Sequence, residues 1–463
     1  GMLPMLSSSF KDDMFSENLK NTLGVKNEEA RKMKVAQTWF AGLHLINVWN
    51  PELIREVLFD KEHVYDKLDV GIVTEPLLGQ SILQVGGEEW KRQKRILGPA
   101  FHHDHIRSLL PAMEAVGEEM IASIVDQEPD LDNVSIHKWT TKATVEVIGR
   151  AGFGHTFHAL KPETEEGDSK QDSLQVYENM AGVLQNPLQL NATLAKVTGY
   201  DKKMNKILGE FDELLIGIIE EKKAAIAAAG DSHVPSDILD LLVQAHDSDD
   251  PEFSLNDKQL LNNLAIFFVA GHETSASALA STVHFLAENP EAQRLAREEV
   301  DQAMAASDGG KLSYEQVCGL RYIKQCISET LRMASPAAMV VRTAARETTL
   351  GGYRIGKGTG IICNAHAMHF DDDVWEDPTS YKPERFDPLK KAKQARCTHV
   401  PFSVGPRQCL GNNFAMLEMR LFLCKILSSF DILSAGEEKN WSAWSGVVLQ
   451  PAPKCRVRLV PRA

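Results

Sequence analysis

The chain has 463 residues, 43% of them hydrophobic, and its 50 Lys and Arg against 64 Asp and Glu give a formal net charge of −14. That acidic balance, with no lysine-rich stretch interleaved by aromatics, argues against a nucleic-acid partner, and no run of about 18 apolar residues offers a membrane-spanning helix. The seven cysteines are scattered and odd in number, which excludes a disulfide framework and fits a reducing compartment.

The leading Gly-Met reads as a cloning scar and leaves room for a native anchor ahead of it. Strand signals cluster at Ala36–Val48, return from Val340 to Cys363 and fade through Val447–Val460. Between them helical periodicity dominates residues 105–300, with Val116–Val125, Lys142–Gly154, Lys206–Ala229 and Asp237–Ala245 as its clearest stretches. The charged stretch Leu160–Asp172 reads as a loop. The pattern predicts a mainly α fold with a small sheet built from both ends of the chain, an α+β arrangement forming one domain over residues 1–463.

Gly86–Arg95 is a helix with a basic face; a solvated surface explains Lys91, Arg92 and Arg95 as well as a partner-binding role does. His102, His103 and His105 point in different directions and lack a second cluster, so a surface turn after Pro99 is preferred to a metal site. The longest helical pattern opens at Ser254, takes Asp257 as capping partner and runs to about Glu288, where Asn289-Pro290 stops it. It contains Ala270-Gly271-His272-Glu273-Thr274. A mid-helix glycine costs about 1 kcal/mol relative to alanine, and Gly271 three residues before Thr274 predicts a local opening with the hydroxyl turned inward. An ordinary buried helix with a tolerated glycine is the alternative.

Further along, Glu329 and Arg332 share a helix face, which in isolation is the spacing of an ordinary surface ion pair. Gly351–Gly358 nearly spells a phosphate loop, but Gly358 replaces the magnesium-binding hydroxyl, and the flanks Thr348–Ile355 and Thr359–Cys363 predict a hairpin. His366 and His369 lack the glutamate of a zinc hydrolase. Last comes Phe402-Ser-Val-Gly405-Pro-Arg407-Gln-Cys409-Leu-Gly411, a cysteine between glycines at the mouth of the helical run Asn412–Ser429. The helix N-terminus is placed to stabilise a sulfur anion, and Gly405 and Gly411 leave room for a flat cofactor against the backbone. A buried structural cysteine ahead of a core helix is the plain alternative.

This segment resembles the haem-ligand loop of the cytochrome P-450 superfamily, in which a cysteine thiolate binds the haem iron. The order and spacing of the other motifs support the resemblance, closest to eukaryotic and fatty-acid-hydroxylase-like branches. It implies haem b with Cys409 as metal ligand, Phe402 and Gly411 beside the cofactor, and Trp90, Lys94, Arg342 and Arg407 on the propionates. Lys94 stands where arginine is commoner, which keeps the charge and loses the fork. Gly271, Glu273 and Thr274 become the oxygen-handling segment of a distal helix, with O2 as co-substrate and Glu273 and Thr274 moving protons. Glu329 and Arg332 join Arg385, of Tyr381-Lys-Pro-Glu-Arg-Phe386, in a buried structural clamp.

The resemblance also places Phe267, Ala270, Ala338, Met339 and Val447 in the substrate pocket, within a wall made by Val73–Leu83, the helices around Met180–Leu215, Phe267–Thr274, Ala337–Val341 and Ser445–Val448. The substrate would be a lipophilic small molecule. Electrons would come from NAD(P)H through a separate flavoprotein reductase or a ferredoxin docked on the basic face. The protein is expected to be monomeric, and cytoplasmic or on the cytosolic face of a membrane. The rival readings are a haem-thiolate isomerase or peroxygenase, against which the Glu273–Thr274 pair argues, a haem sensor without substrate turnover, and an iron-free scaffold.

Overall fold

Apolar periodicity in the middle of the chain becomes a stack of helices, and strand-forming stretches near its two ends pair into one sheet. The computed structural model describes residues 34–40, 43–60, 63–67, 77–162, 172–186, 192–436, 442–444, 448–451 and 456–462. Its main helices are α1 (Pro51–Leu58), α2 (Gly87–Leu97), α3 (Leu110–Gln127), α4 (Ile136–Val147), α5 (Asp172–Gln185), α6 (Tyr200–Ala229), α7 (Ile238–His246), α8 (Asp257–Glu288), α9 (Pro290–Ala305), α10 (Arg321–Met333) and α11 (Asn412–Ser429). The expected Val116–Val125 and Lys206–Ala229 fall within α3 and α6, Asp237–Ala245 is the N-cap and body of α7, and Lys142–Gly154 runs from α4 past its end. Helix α4 continues into a π-helical turn, Ile148–Phe153, which ends on Gly154 at a left-handed φ of 65°. Most of the expected loop 160–172 lies outside the described residues.

Helix α8 starts two residues later than the Ser254 cap expected. Asn256 accepts from the Gln259 amide at 2.8 Å, and the Gln259 side chain accepts from the Asn256 amide at 3.1 Å, closing a capping box. Both starts satisfy the local pattern; the tertiary structure decides, because the Ser254 carbonyl accepts instead from Arg92 of α2. Pro290 ends the helix as expected by opening α9 at its first position. At 32 residues α8 spans about 48 Å, and it is buried on all sides: Leu264, Phe268 and Leu279 are fully covered, and so are Asn263, His272 and Thr282.

The strands are β1 (Val35–Phe40), β2 (Leu43–Val48), β3 (Tyr65–Asp66), β4 (Met339–Ala344), β5 (Thr348–Leu350), β6 (Tyr353–Ile355), β7 (Gly360–Asn364), β8 (Phe430–Ser434), β9 (Ser442–Trp444), β10 (Leu449–Pro451) and β11 (Val457–Pro461). A five-stranded sheet runs β1-β2-β7-β4-β3 and joins the N-terminal strands to the 339–364 region as expected, but the C-terminal strands stay out of it, β11 pairing with β8 and β10 with β9. β2 and β7 are parallel, Leu45 opposite Gly360. The hairpin, however, lies wholly within Thr348–Ile355, where β5 pairs with β6; Gly360–Asn364 is instead an interior strand between β2 and β4. All five β7 residues are buried, and that burial draws the segment away from the hairpin. Beneath the sheet a separate core joins Ile54, Val57 and Leu58 of α1 to Ile361, Cys363 and Val400.

One polar network sets the position of the segment 77–84, which roofs the internal cavity. Asn262 accepts from the Gln80 amide at 3.0 Å and donates to the Leu77 carbonyl at 3.0 Å. Asn263 accepts from the Ile82 amide at 2.9 Å and donates to the Gln93 Oε1 at 3.0 Å, while Gln93 donates to the Gln80 carbonyl at 2.9 Å. Two adjacent asparagines thus fasten the roof and α2 to α8. Replacing Asn263 with Leu leaves the Ile82 amide and the Gln93 carbonyl oxygen short of partners, a cost of about 1–3 kcal/mol. Thermal denaturation of the haem-loaded N263L variant is expected to show that loss, and an unchanged melting temperature contradicts the role given to the network.

Candidate functional site

A cavity of about 550 Å³ lies between α8 and the loop that precedes α11. Of the residues expected at the site, Trp90, Lys94, Phe267, Ala270, Gly271, Thr274, Met339, Arg342, Phe402, Arg407, Cys409 and Gly411 line it together. They come from α2, α8, β4 and the cysteine loop, so the fold assembles what the chain keeps far apart.

The cysteine loop closes on itself, the Cys409 amide donating to the Phe402 carbonyl at 3.0 Å. Ser403 takes a left-handed φ of 58° and Gly405 one of 80°. Gly405 serves a different purpose from the one expected: it does not line the cavity, and a Cβ there would collide with the Leu58 carbonyl at the end of α1. Gly411 does face the cavity, and a Cβ at that position would sit 4.0 Å from the Cys409 sulfur. The accessible surface of Cys409 opens onto this internal space. Burial pushes its thiol up, and the backbone N–H groups of Gly411 and Asn412 pull it back only in part. The helix end therefore helps the sulfur without ionising it, and the rest must come from a metal cation.

Four cations face the same space as the sulfur. Lys94 donates to the Pro406 carbonyl at 2.7 Å. The Trp90 ring lies between Lys94, 5.1 Å from its centroid, and Arg407, 4.6 Å from it. Arg342 donates to its neighbour's carbonyl, Val341, at 2.9 Å. Lys67, which lacks any sequence signal beyond its charge, completes the group. Burial, then repulsion from Arg342 and Arg407, lowers the Lys67 ammonium to about 7. Burial, then Arg342, lowers Arg407 to about 10, and its Nη1 is buried without a hydrogen-bond partner. Buried cations with an unsatisfied N–H call for anions. An apolar cavity with one thiol and an anion-seeking corner fits haem: Cys409 would hold the iron, and Lys67, Lys94, Arg342 and Arg407 the propionates.

On α8, Thr274 donates to the Ala270 carbonyl at 2.8 Å, and the helix runs through without the expected opening. Gly271 is explained by packing, since a Cβ there would come within 3.0 Å of the Ile148 side chain on the π-helical turn. Glu273 does not line the cavity. Successive helix positions diverge by about 100°, so with Thr274 turned inward Glu273 falls on the flank, where its charge bears on Tyr177. Burial raises the Glu273 carboxyl to about 7.

Around the pocket, Ala338 also departs from expectation. It is buried and its carbonyl accepts from the His366 amide at 3.0 Å, whereas the other members of the expected stretch, Ala337, Met339, Val340 and Val341, line the cavity. The described residues of 180–215 do not reach the cavity wall; Phe211 meets Phe268 edge to face behind it, with ring centroids 5.8 Å apart. Val447, residues 73–76 and residues 445–446 lie outside the described residues. The basic face of α2 is more neutral than expected, because Lys91 pairs with Glu88 at 2.7 Å, Arg92 with Glu89 at 2.8 Å and Arg95 with Glu252 at 2.8 Å.

The clamp forms as expected. Arg332 is fully buried and grips Glu329 through Nε at 2.8 Å and Nη2 at 2.9 Å, and Arg385 reaches the same carboxylate at 3.1 Å. The Arg332 Nη1 donates to the His369 carbonyl at 2.7 Å, and the His369 Nε2 accepts from the Val400 amide at 3.4 Å, next to the cysteine loop. Replacing Arg332 with Ala strands Glu329, at about 3–5 kcal/mol. Denaturant titration of R332A is expected to show that loss, with R385K retaining more stability because Arg332 still grips the carboxylate; equal stability of R332A and wild type refutes the clamp.

The cytochrome P450 family model matches residues 18–457. Among curated proteins, secologanin synthase 1 of Catharanthus roseus is 29% identical over 85% of this chain and 75% of its own length. Cytokinin hydroxylase of Arabidopsis thaliana is 29% identical over 84% and 72%, and mouse cytochrome P450 3A11 is 26% identical over 93% and 86%. Among solved structures, the cytochrome P450DA haem domain superposes with a TM-score of 0.83 at 22% identity, covering 97% of this chain and 94% of that one.

Proposed function

The chain belongs to the cytochrome P450 family and is a haem-thiolate monooxygenase, and on that premise we propose that it uses O2 to hydroxylate or epoxidise an uncharged or weakly polar lipophilic molecule. The observation that carries the substrate class is the cavity wall away from the cations, built from Ile82, Leu83, Phe101, Ile148, Ile266 and Phe267. Such a wall rewards apolar area and offers no charge to pair with a charged substrate.

Haem iron held by a cysteinate supplies oxygen activation, the thiolate's electron donation favouring O–O cleavage. The chain's own residues provide the surroundings. Cys409 gives the ligand, Phe402 and the apolar wall keep water from the sulfur, and the four cations fix the cofactor's anionic edge. Thr274 presents a hydroxyl to the cavity, and the adjacent Glu273 holds a proton on the flank of α8. A carboxyl near 7 is half protonated at neutral pH, the best compromise for a donor.

NAD(P)H electrons arrive through a separate flavoprotein or ferredoxin. The exposed residues Lys390, Lys391, Lys393 and Arg396, just ahead of the cysteine loop, support an acidic partner. The thiols of Cys318, Cys326, Cys363, Cys397, Cys409 and Cys424 are free, which supports a reducing compartment, the cytoplasm or the cytosolic face of a membrane.

Two outcomes are expected. The reduced carbonyl complex of wild type shows a strongly red-shifted Soret band, and C409S loses it; a red-shifted band in C409S refutes thiolate ligation by Cys409. Because the Glu273 pKa is raised, the proton it supplies is present at low pH and is lost as pH rises through about 7. Product formed per NAD(P)H consumed should therefore fall across that range, and E273Q should flatten the profile; an unchanged profile in E273Q removes Glu273 from proton delivery.

A further inference from the structure

Cys318 is an exposed thiol away from the cavity, and it meets a buried cation that has no ion pair among the described residues. It stands on the short helix Tyr314–Gly319, which packs on α11. Arg420 of α11 is 8% exposed; its Nη1 donates to the Cys318 carbonyl at 3.2 Å, and its Nε is buried without a hydrogen-bond partner. Burial lowers the Arg420 guanidinium, and Cys318, then Tyr314, are the first neighbours to oppose the fall. Tyr314 lies one helical turn before Cys318, its phenol pushed up to about 12 by burial and then by that thiol. Lys324 adds a further cation: partial burial, then repulsion from Arg420 and Lys391, lowers its ammonium. Arg107, which also acts on Tyr314, is already paired with Glu315. A buried guanidinium with an unsatisfied N–H beside a thiol calls for an anion at that place.

We propose that Cys318 is a site of oxidative modification, at which hydrogen peroxide converts the thiol to a sulfinate that Arg420 holds. In the first step the sulfur attacks one peroxide oxygen. An S–O bond forms, the O–O bond breaks, and the other oxygen leaves as water with the thiol proton. A second peroxide repeats the exchange on the sulfenic acid, giving a sulfinic acid and a second water. Each step oxidises the sulfur by two electrons and reduces one peroxide; the sulfenic stage is reversible by thiols and the sulfinic stage is not. The sulfinate carries one charge over two oxygens, the pattern that a guanidinium edge pairs with. Burial withholds Cys326, Cys363 and Cys424 from the oxidant and pushes their thiols up. Cys397, partly exposed and raised by burial, is the internal comparison. Hydrogen peroxide is what a site that reduces O2 releases when the oxygen is not passed to substrate. In that respect alone the proposal rests on the monooxygenase reading, and adding peroxide as a reagent removes the dependence.

The test treats haem-loaded wild type, R420K and R420Q with a small excess of hydrogen peroxide, blocks the remaining thiols and weighs the cysteine peptides by mass spectrometry. In wild type, Cys318 should gain two oxygen atoms several-fold faster than Cys397, and a 1,3-dione added with the peroxide should trap its sulfenic acid. R420Q should still yield the trapped sulfenic acid but accumulate several-fold less sulfinate. R420K, which keeps the charge and loses the fork, should lie between the two. The proposal is overturned if Cys397 oxidises as fast as Cys318, or if R420Q accumulates sulfinate at the wild-type rate. Should R420Q fail to fold or to load haem, the Cys318-to-Cys397 ratio in wild type and the sulfinate yield of R420K still decide the matter. A wild type without the red-shifted carbonyl band sinks the monooxygenase reading and leaves these peptide masses to be judged on their own.

Discussion

A buried thiol does not ionise unaided, and much of this molecule is arranged around that constraint. Cys409 receives two backbone N–H groups from the start of α11, and burial still outweighs them. The same dryness that keeps the thiol protonated is what an oxygen-activating site requires, so the protein cannot relieve one by admitting water for the other. The residues fit a division of labour: the helix end lowers the cost, a bound haem iron would complete it, and Lys67, Lys94, Arg342 and Arg407 would pair with the anionic groups of the cofactor. The left-handed turn at Gly405, packed on the Leu58 carbonyl, holds the sulfur-bearing loop to the rest of the fold.

Two kinds of buried carboxylate coexist here. Glu329 sits among Arg332, Arg385 and the Lys382 amide and accepts four hydrogen bonds. Glu273 and Glu418 have burial and little else, and their proton affinities rise accordingly. The first kind is held charged by its partners; burial draws the second toward its neutral form. Environment alone divides them.

What could be read in the sequence was what local chemistry writes into contiguous residues. The cysteine loop, the Glu329–Arg332 spacing and the acid–threonine pair announce themselves because their partners are neighbours in the chain. Even so, their reasons were partly misread: Gly271 admits Ile148 and Gly405 admits Leu58, contacts that no local pattern contains. Lys67 and Glu418 were invisible for the same cause. Each is an ordinary charged residue until the fold surrounds it, Lys67 with Arg342 and Arg407, Glu418 with the α8 seam. The choice between Ala337 and Ala338 as cavity lining turns on which carbonyl His366 engages, again a tertiary matter.

The parallel pairing of β2 with β7 carries a consequence for how the chain is made. β2 leaves the ribosome early, but its partner strand Gly360–Asn364 follows more than half the chain later. At about 5–20 residues per second that interval is tens of seconds. For all of it the apolar strand Leu43–Val48 has an open edge, a condition that invites mispairing and chaperone capture. Cys409 emerges later still, so haem meets a polypeptide in which helices α1 to α10 have already been synthesised. The cofactor can then lock the finished architecture, but it cannot template the beginning of it.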